Sequence, residues 1–148
     1  MRAALLSVAL GLLACVPADG PLMEPGQDCL RCHGGATVPN TPQNPGFEVR
    51  HARTWTLAGT VYGATDADLS AGILGAYVDV TDANGFSFQL RTNEAGNFYS
   101  AESVVFPLTV CVELGGTKTC QQSTTAYGSC NACHTVPPTN GAAGRLTP

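Results

Sequence analysis

The sequence predicts an all-β protein, a β-sandwich of short antiparallel strands flanked on both sides by irregular or short-helical segments. Three observations carry this. Between about residue 54 and residue 124, apolar residues recur at every second position in several runs, no run of comparable length has a helical period, and Gly, Asn and Asp punctuate the runs at hairpin spacing. The expected division is residues 1–14, 15–53, 54–124 and 125–148, with the strands confined to the third part.

The strands follow in order. Trp55, Leu57 and Val61 alternate with Thr54, Thr56 and Thr60, so one set is expected in the core and the other in water. Trp55 belongs to the core set. Ala76, Val78 and Val80 alternate with Tyr77, Asp79 and Thr81, and Phe86, Phe88 and Leu90 alternate with Ser87, Gln89 and Arg91. Leu108, Val110, Val112 and Leu114 form a further apolar face. Asp82-Ala83-Asn84-Gly85 and Asn93-Glu94-Ala95-Gly96-Asn97 supply turns rich in residues that tolerate positive φ. Asp66, Asp68, Asp82 and Asn84 are read as turn residues. A calcium loop begun at Asp82 would need an acid where Asn93 stands, and one begun at Asp66 would need it at Tyr77.

Gly115-Gly116 fixes a register. A two-residue hairpin centred there sets Leu114 opposite Thr117, Glu113 opposite Lys118, Val112 opposite Thr119 and Cys111 opposite Cys120. The cysteines then fall on a non-hydrogen-bonded pair, where side chains come closest, and an oxidising compartment would join them. Glu113 and Lys118 share a face and can pair.

Charge excludes one class. Charged residues make up 12%, Lys118 is the single lysine and the formal net charge is −4, which rules out a basic nucleic-acid footprint and favours a basic protein partner over an acidic one.

The residues outside the strands carry the chemistry. MRAALLSVALGLLAC has a basic start, a short apolar run and small Ala14, the pattern of a secretory leader. Leu12-Leu13-Ala14-Cys15 resembles the bacterial lipobox, which implies lipidation of Cys15 and a stable membrane anchor. Val16 after it implies, by the same analogy, the outer membrane of a bacterial envelope.

Cys29-Leu30-Arg31-Cys32-His33 and Cys130-Asn131-Ala132-Cys133-His134 are two C-x-x-C-H motifs. The two thiols, about one helical turn apart, reach one edge of a porphyrin and the following imidazole reaches its iron, the pattern of covalent haem c attachment. Cys29, Cys32, Cys130 and Cys133 are therefore the expected attachment points of two haems, and His33 and His134 the proximal iron ligands. A thioredoxin-like redox pair lacks its βαβ setting, a four-cysteine zinc site lacks its spacing, and plain disulfides leave both histidines unexplained. His51 is the candidate for a distal ligand and Met23 a weaker one; which haem either would serve stays open. The seven cysteines are then accounted for by one lipid, two haems and one disulfide.

The stretch Gly34 to Phe47 and the tail from Pro137 are expected to be irregular. Gly144-Arg145-Leu146 either covers the second haem or is loose, and Tyr127 either touches that haem or lies on the surface.

Gly59-Thr60-Val61-Tyr62, Gly75-Ala76-Tyr77-Val78-Asp79-Val80-Thr81-Asp82 and Thr92-Asn93-Glu94-Ala95-Gly96-Asn97-Phe98 resemble the carboxypeptidase regulatory-like domain. That resemblance covers about half the chain and implies a transthyretin-like sandwich of about seven strands with no catalytic residues to carry over. With a C-x-x-C-H on either side, the chain is similar to small multihaem cytochrome lipoproteins of bacteria. The implied function is electron transfer to redox partner proteins or other cytochromes, without enzyme activity. Two other functions stay open: an adhesion or polymer-forming subunit carrying haems, and a haem enzyme or small-ligand sensor with an open iron site. Self-association into a homo-oligomer is also left open.

Overall fold

The structure is a computed structural model, and it describes residues 22–34 and 54–148. Cys15 with its leader, His51 and nearly all of the 34–47 stretch lie outside the described residues.

The described residues build two antiparallel sheets and almost no helix. A five-residue helix, α1 (Cys29–His33), precedes six strands: β1 (Leu57–Thr60), β2 (Tyr77–Thr81), β3 (Ser87–Arg91), β4 (Asn97–Ser100), β5 (Thr109–Leu114) and β6 (Thr117–Cys120). A single 3₁₀ turn, Cys130–Ala132, follows. The larger sheet has the order β3-β2-β5-β6, and β1 and β4 form the smaller. Leu57, Val61 and Phe98 from the small-sheet side meet Ala76, Val78, Val80, Leu108, Val110 and Val112 from the large one in a single apolar cluster. This is the all-β arrangement that the alternation predicts.

Period two works where one face is wet. Ala76, Val78 and Val80 are fully buried, while Tyr77, Asp79 and Thr81 face outward. Leu108, Val110 and Val112 behave the same way on the neighbouring strand. The edge strand β3 keeps the alternation at lower burial, with Phe88 and Leu90 half-buried, and Phe86 is exposed just outside it. The hairpin register is the one expected, Cys111 opposite Cys120 and Glu113 opposite Lys118. Gly115 and Gly116 both take positive φ, 60° and 87°, which a two-residue turn of this hand requires. Cys111 and Cys120 are disulfide-bonded. Lys118, however, bonds Asp79 on β2 at 2.6 Å rather than Glu113. Asp79 also accepts from Gln89, so two donors converge on one carboxylate.

Asp82 holds the β2–β3 turn. Its carboxylate accepts from Asn84, Phe86 and Val105 N–H groups at 2.8–3.0 Å. Burial alone would raise this carboxyl, but the Val105, Phe86, Asn84 and Gly85 amides outweigh it and hold the group below its usual range.

The alternation fails on β1, where all four residues are buried. Thr60, expected in water, is fully buried. Its strand is enclosed on both faces and both edges. One edge pairs with β4. At the other edge three alternate N–H groups are taken by the C-terminal segment: Ala58 by Gly128 O, Thr60 by Asn131 Oδ1 and Tyr62 by Leu146 O, at 2.8–3.0 Å. The tail is thus bound at this point, and Gly144 and Arg145 are buried.

Candidate functional site: two C-x-x-C-H turns on one strand

Both motifs pack around β1. The first follows extended Asp28 (φ −68°, ψ 93°), turns once as α1 and closes with Gly34 N–H on Leu30 O. Its His33 is buried, and the imidazole stacks on Trp55 with centroids 3.8 Å apart and planes 19° apart. Trp55 stacks in turn on half-exposed Tyr99 at 4.3 Å and 13°. The Trp55 N–H donates to His33 O, so main chain and ring hold the same two residues together. Trp55 is therefore not a residue of the apolar core, as the alternation suggested. It is half-buried at the strand's entrance because α1 offers it a flat imidazole to cover.

The second motif reaches β1 by shedding side chains. A Cβ at Gly128 would collide with Thr56 O, and one at Gly59 would stand 2.9 Å from Cys130 Cβ and press on the Phe98 ring. Cys130–Ala132 then makes its 3₁₀ turn, with the N–H groups of Cys133 and His134 both on Cys130 O. The His134 Nδ1–H donates to Gly144 O at 2.8 Å. A carbonyl can only accept, so Nδ1 carries the proton and the lone pair is on Nε2, the arrangement that metal-binding imidazoles use to fix tautomer and ring orientation.

Asn131, the first variable residue of the second motif, joins the two. It is 2% exposed. Its Oδ1 accepts from Thr60 N–H, and its Nδ2 donates to Thr60 Oγ1 and to Gln27 O, 104 positions away in sequence. The same amide nitrogen lies 3.9 Å from Cys29 Sγ. Thr60 Oγ1 also accepts from Gly26 N–H and donates to Asn97 Oδ1, and Asn97 Nδ2 donates to Met23 O. One buried polar chain thus links the segment before α1, β1, β4 and the second motif.

The thiols differ in setting. Burial pushes Cys29 up to about 11 and Cys130 up to about 12, the latter helped by the neighbouring charges of Cys29 and Cys133. Cys133 Sγ accepts from Asn140 Nδ2 at 3.4 Å. Cys29, Cys130 and Cys133 are unpaired in disulfides; the Cys32 side chain lies outside the described set. Among the described residues, no three His, Cys, Asp or Glu side chains converge to hold a bare metal ion. The donors present, unpaired thiols each within one turn of an imidazole, fit thioether attachment with axial ligation by His33 and His134.

Of the other expected site residues, Met23 sits at this end of the protein, half-buried, with its carbonyl on Asn97. Tyr127 is 48% exposed beside Asp28; burial, then the Asp28 charge, raises its hydroxyl. Asn131 and Trp55 were not legible as site residues, though Asn131 had a signal in its position inside a motif. The sequence offers Gly144 only as part of a segment that either covers the second haem or is loose, and the structure places its carbonyl on His134.

Comparison with protein-family models, with curated proteins and with solved structures finds no match to this chain.

Proposed function

We propose that this protein is a di-haem c-type cytochrome that transfers electrons, exported and anchored as a lipoprotein through Cys15. The observation that carries the reading is the meeting of the two C-x-x-C-H turns on β1 through Asn131, although their sequence positions lie about a hundred residues apart. A spacer domain with incidental cysteine pairs has no reason to fold both pairs onto one strand. Cys29 with Cys32, and Cys130 with Cys133, would each hold one haem covalently, and His33 and His134 would bind the irons. Bound there, each haem would supply an iron that accepts and releases one electron.

The chain's own residues do the positioning. Gly144 O orients His134, and Trp55 with Tyr99 walls in His33. Burial of His33, with Cys130 half-buried beside β1, would keep water from part of the site, which tunes a haem potential. Two antiparallel sheets around one core support a transthyretin-like frame, as in carboxypeptidase regulatory-like domains, serving as a stiff mount. Among the described residues no helix is long and apolar enough to cross a membrane, and the anchor assigned here is lipid.

Intact-mass measurement of the protein made in a host that matures c-type cytochromes tests the reading. Two haem masses, with a diacylglyceryl-type addition at Cys15, are expected. A product with no porphyrin mass and no Soret absorption would remove it.

A further inference from the structure

The four-stranded sheet ends in two edges of different chemistry. β6 is exposed throughout and carries Lys118, a charge that guards an edge against further pairing. β3 carries no lysine, no proline and no bulge. Its main-chain groups are taken on one side only. Asp82 N–H donates to Phe86 O and Thr92 N–H to Ala76 O, so in this register Phe86, Phe88, Leu90 and Thr92 turn their main-chain groups toward β2. Ser87, Gln89 and Arg91 turn theirs outward, and among the described residues no strand pairs with them there.

The side chains bordering that edge are apolar. Phe88 and Leu90 pack against the core but are only half-buried, because the sheet stops beside them. Phe86 is 47% exposed, its ring 5.6 Å from that of Phe88. Val105 and Phe106 are exposed too, and their loop is tied to the same turn. Val105 N–H donates to Asp82 Oδ2, and Val105 O accepts from Ala83 N–H. An open ladder bordered by apolar side chains is the pattern of a sheet that another strand extends.

We infer that β3 is a self-association edge, at which a second copy of this chain pairs antiparallel about Phe88. The strand selects this occupant because it complements itself. With Phe88 opposite Phe88 of the second copy, Phe86 falls opposite Leu90 and Ser87 opposite Gln89. The three apolar pairs lie on the core-facing side at non-hydrogen-bonded positions, where side chains come closest. Ser87, Gln89 and Arg91 fall on hydrogen-bonded ones. A shift of two residues either way sets Phe86 against Thr92 or Leu90 against Asn84 and loses the match. Charge agrees. Arg91 is the only charged residue between 86 and 92. In this register it arrives opposite Gly85 of the second copy, at the end of the turn that Asp82 holds, so a cation approaches an anion at both ends and the two arginines stay apart. A two-fold axis closes the pairing, joining two four-stranded sheets into one and leaving neither β3 edge open. The contact is small, so the dimer is weak and forms with concentration. It stands independently of the electron-transfer reading.

Sedimentation of the exported full chain tests it, with Cys15→Ser so that no lipid gathers the copies. A monomer–dimer equilibrium is expected between about 10 and 500 μM. Phe86→Lys places a charge against Leu90 of the second copy from a position already exposed. Gln89→Pro removes an outward N–H that the fold does not use. Each substitution weakens the dimer about tenfold or more. Thermal unfolding at about 1 μM, where every chain is monomeric, checks that the substituted chains fold, and Phe86→Lys carries the test if Gln89→Pro does not. A chain that stays monomeric throughout the range refutes the inference. So does a dimer that the folded variants leave intact, or growth past the dimer into polymers.

Discussion

The two sheets solve the same problem in opposite ways. The four-stranded sheet buries one face and leaves the other in water, so along β2 and β5 the inward residues are apolar, while the edge strand β6 is exposed throughout. In the two-stranded sheet β1 is covered on both faces and β4 everywhere but at Tyr99, and the buried set includes Thr60, Asn97 and Ser100. Those polar side chains can be buried because each has partners: Asn131, Gly26 and Asn97 for Thr60, Met23 O for Asn97, Glu102 N–H for Ser100. The lesson is that the large sheet is held by apolar area, whereas the small one adds to its apolar residues a polar network around Thr60 that the two motif segments complete.

Four measurements press on that contrast. The largest effect is expected for Asn131→Leu, which strands the buried Thr60 N–H and removes a donor from Thr60 Oγ1 and from Gln27 O. We expect a loss of about 3 kcal/mol in denaturant unfolding, with faster amide exchange at Gly26 and Thr60. A loss below that of any large-sheet core residue would show the polar network to be incidental. Val78→Ala, in the large sheet, should cost about 2.5 kcal/mol, two methyl groups' transfer plus a cavity, and leave exchange around Gly26 unchanged. Replacing both Cys111 and Cys120 by Ser should cost about 2 kcal/mol, because a short loop is freed in the unfolded chain.

The smallest effect is electrostatic and lies on the wet face. The Lys118 hydrogen bond, then that of Gln89, holds the Asp79 carboxyl below its usual range, and Asp79 in turn raises Lys118. A depressed carboxyl contributes stability that is present above its unfolded value and lost as pH falls through the folded one. A raised ammonium contributes below its unfolded value and loses it as pH rises through the folded one. The pair's contribution should therefore be flat through neutrality and vanish at both extremes. Lys118→Ala should remove the contribution, and so should about 1 M salt in the unsubstituted protein. A stability difference between Lys118→Ala and the unsubstituted protein that persists in that salt would contradict this.

The contrast also explains what the sequence made legible. The alternation at Ala76–Val80 and Leu108–Leu114, and the Gly115-Gly116 hairpin with its Cys111–Cys120 pair, are local patterns with a wet face to report them. At β1 the same rule assigned Thr60 to solvent and Trp55 to the core, since period two knows nothing of a segment arriving from residues 128–146. The two C-x-x-C-H motifs were visible as motifs. That they share a strand was not, because the contact is made by one asparagine whose meaning depends on Thr60 being beside it. The sequence offers Arg145 only within the Gly144-Arg145-Leu146 segment, which either covers the second haem or is loose; that its guanidinium lies over the buried Tyr62 ring depends on a contact between distant segments.

The Asn131 link has a consequence for how the protein is made. A chain emerges from its N-terminus, so the first motif appears long before Gly128, Asn131 and Leu146 exist to enclose β1. Until residues 128–146 are delivered, the first motif lacks the segment that borders β1 and holds Gln27 through Asn131. Arrival of residues 128–146, and not formation of the four-stranded sheet, would complete the polar network around Thr60.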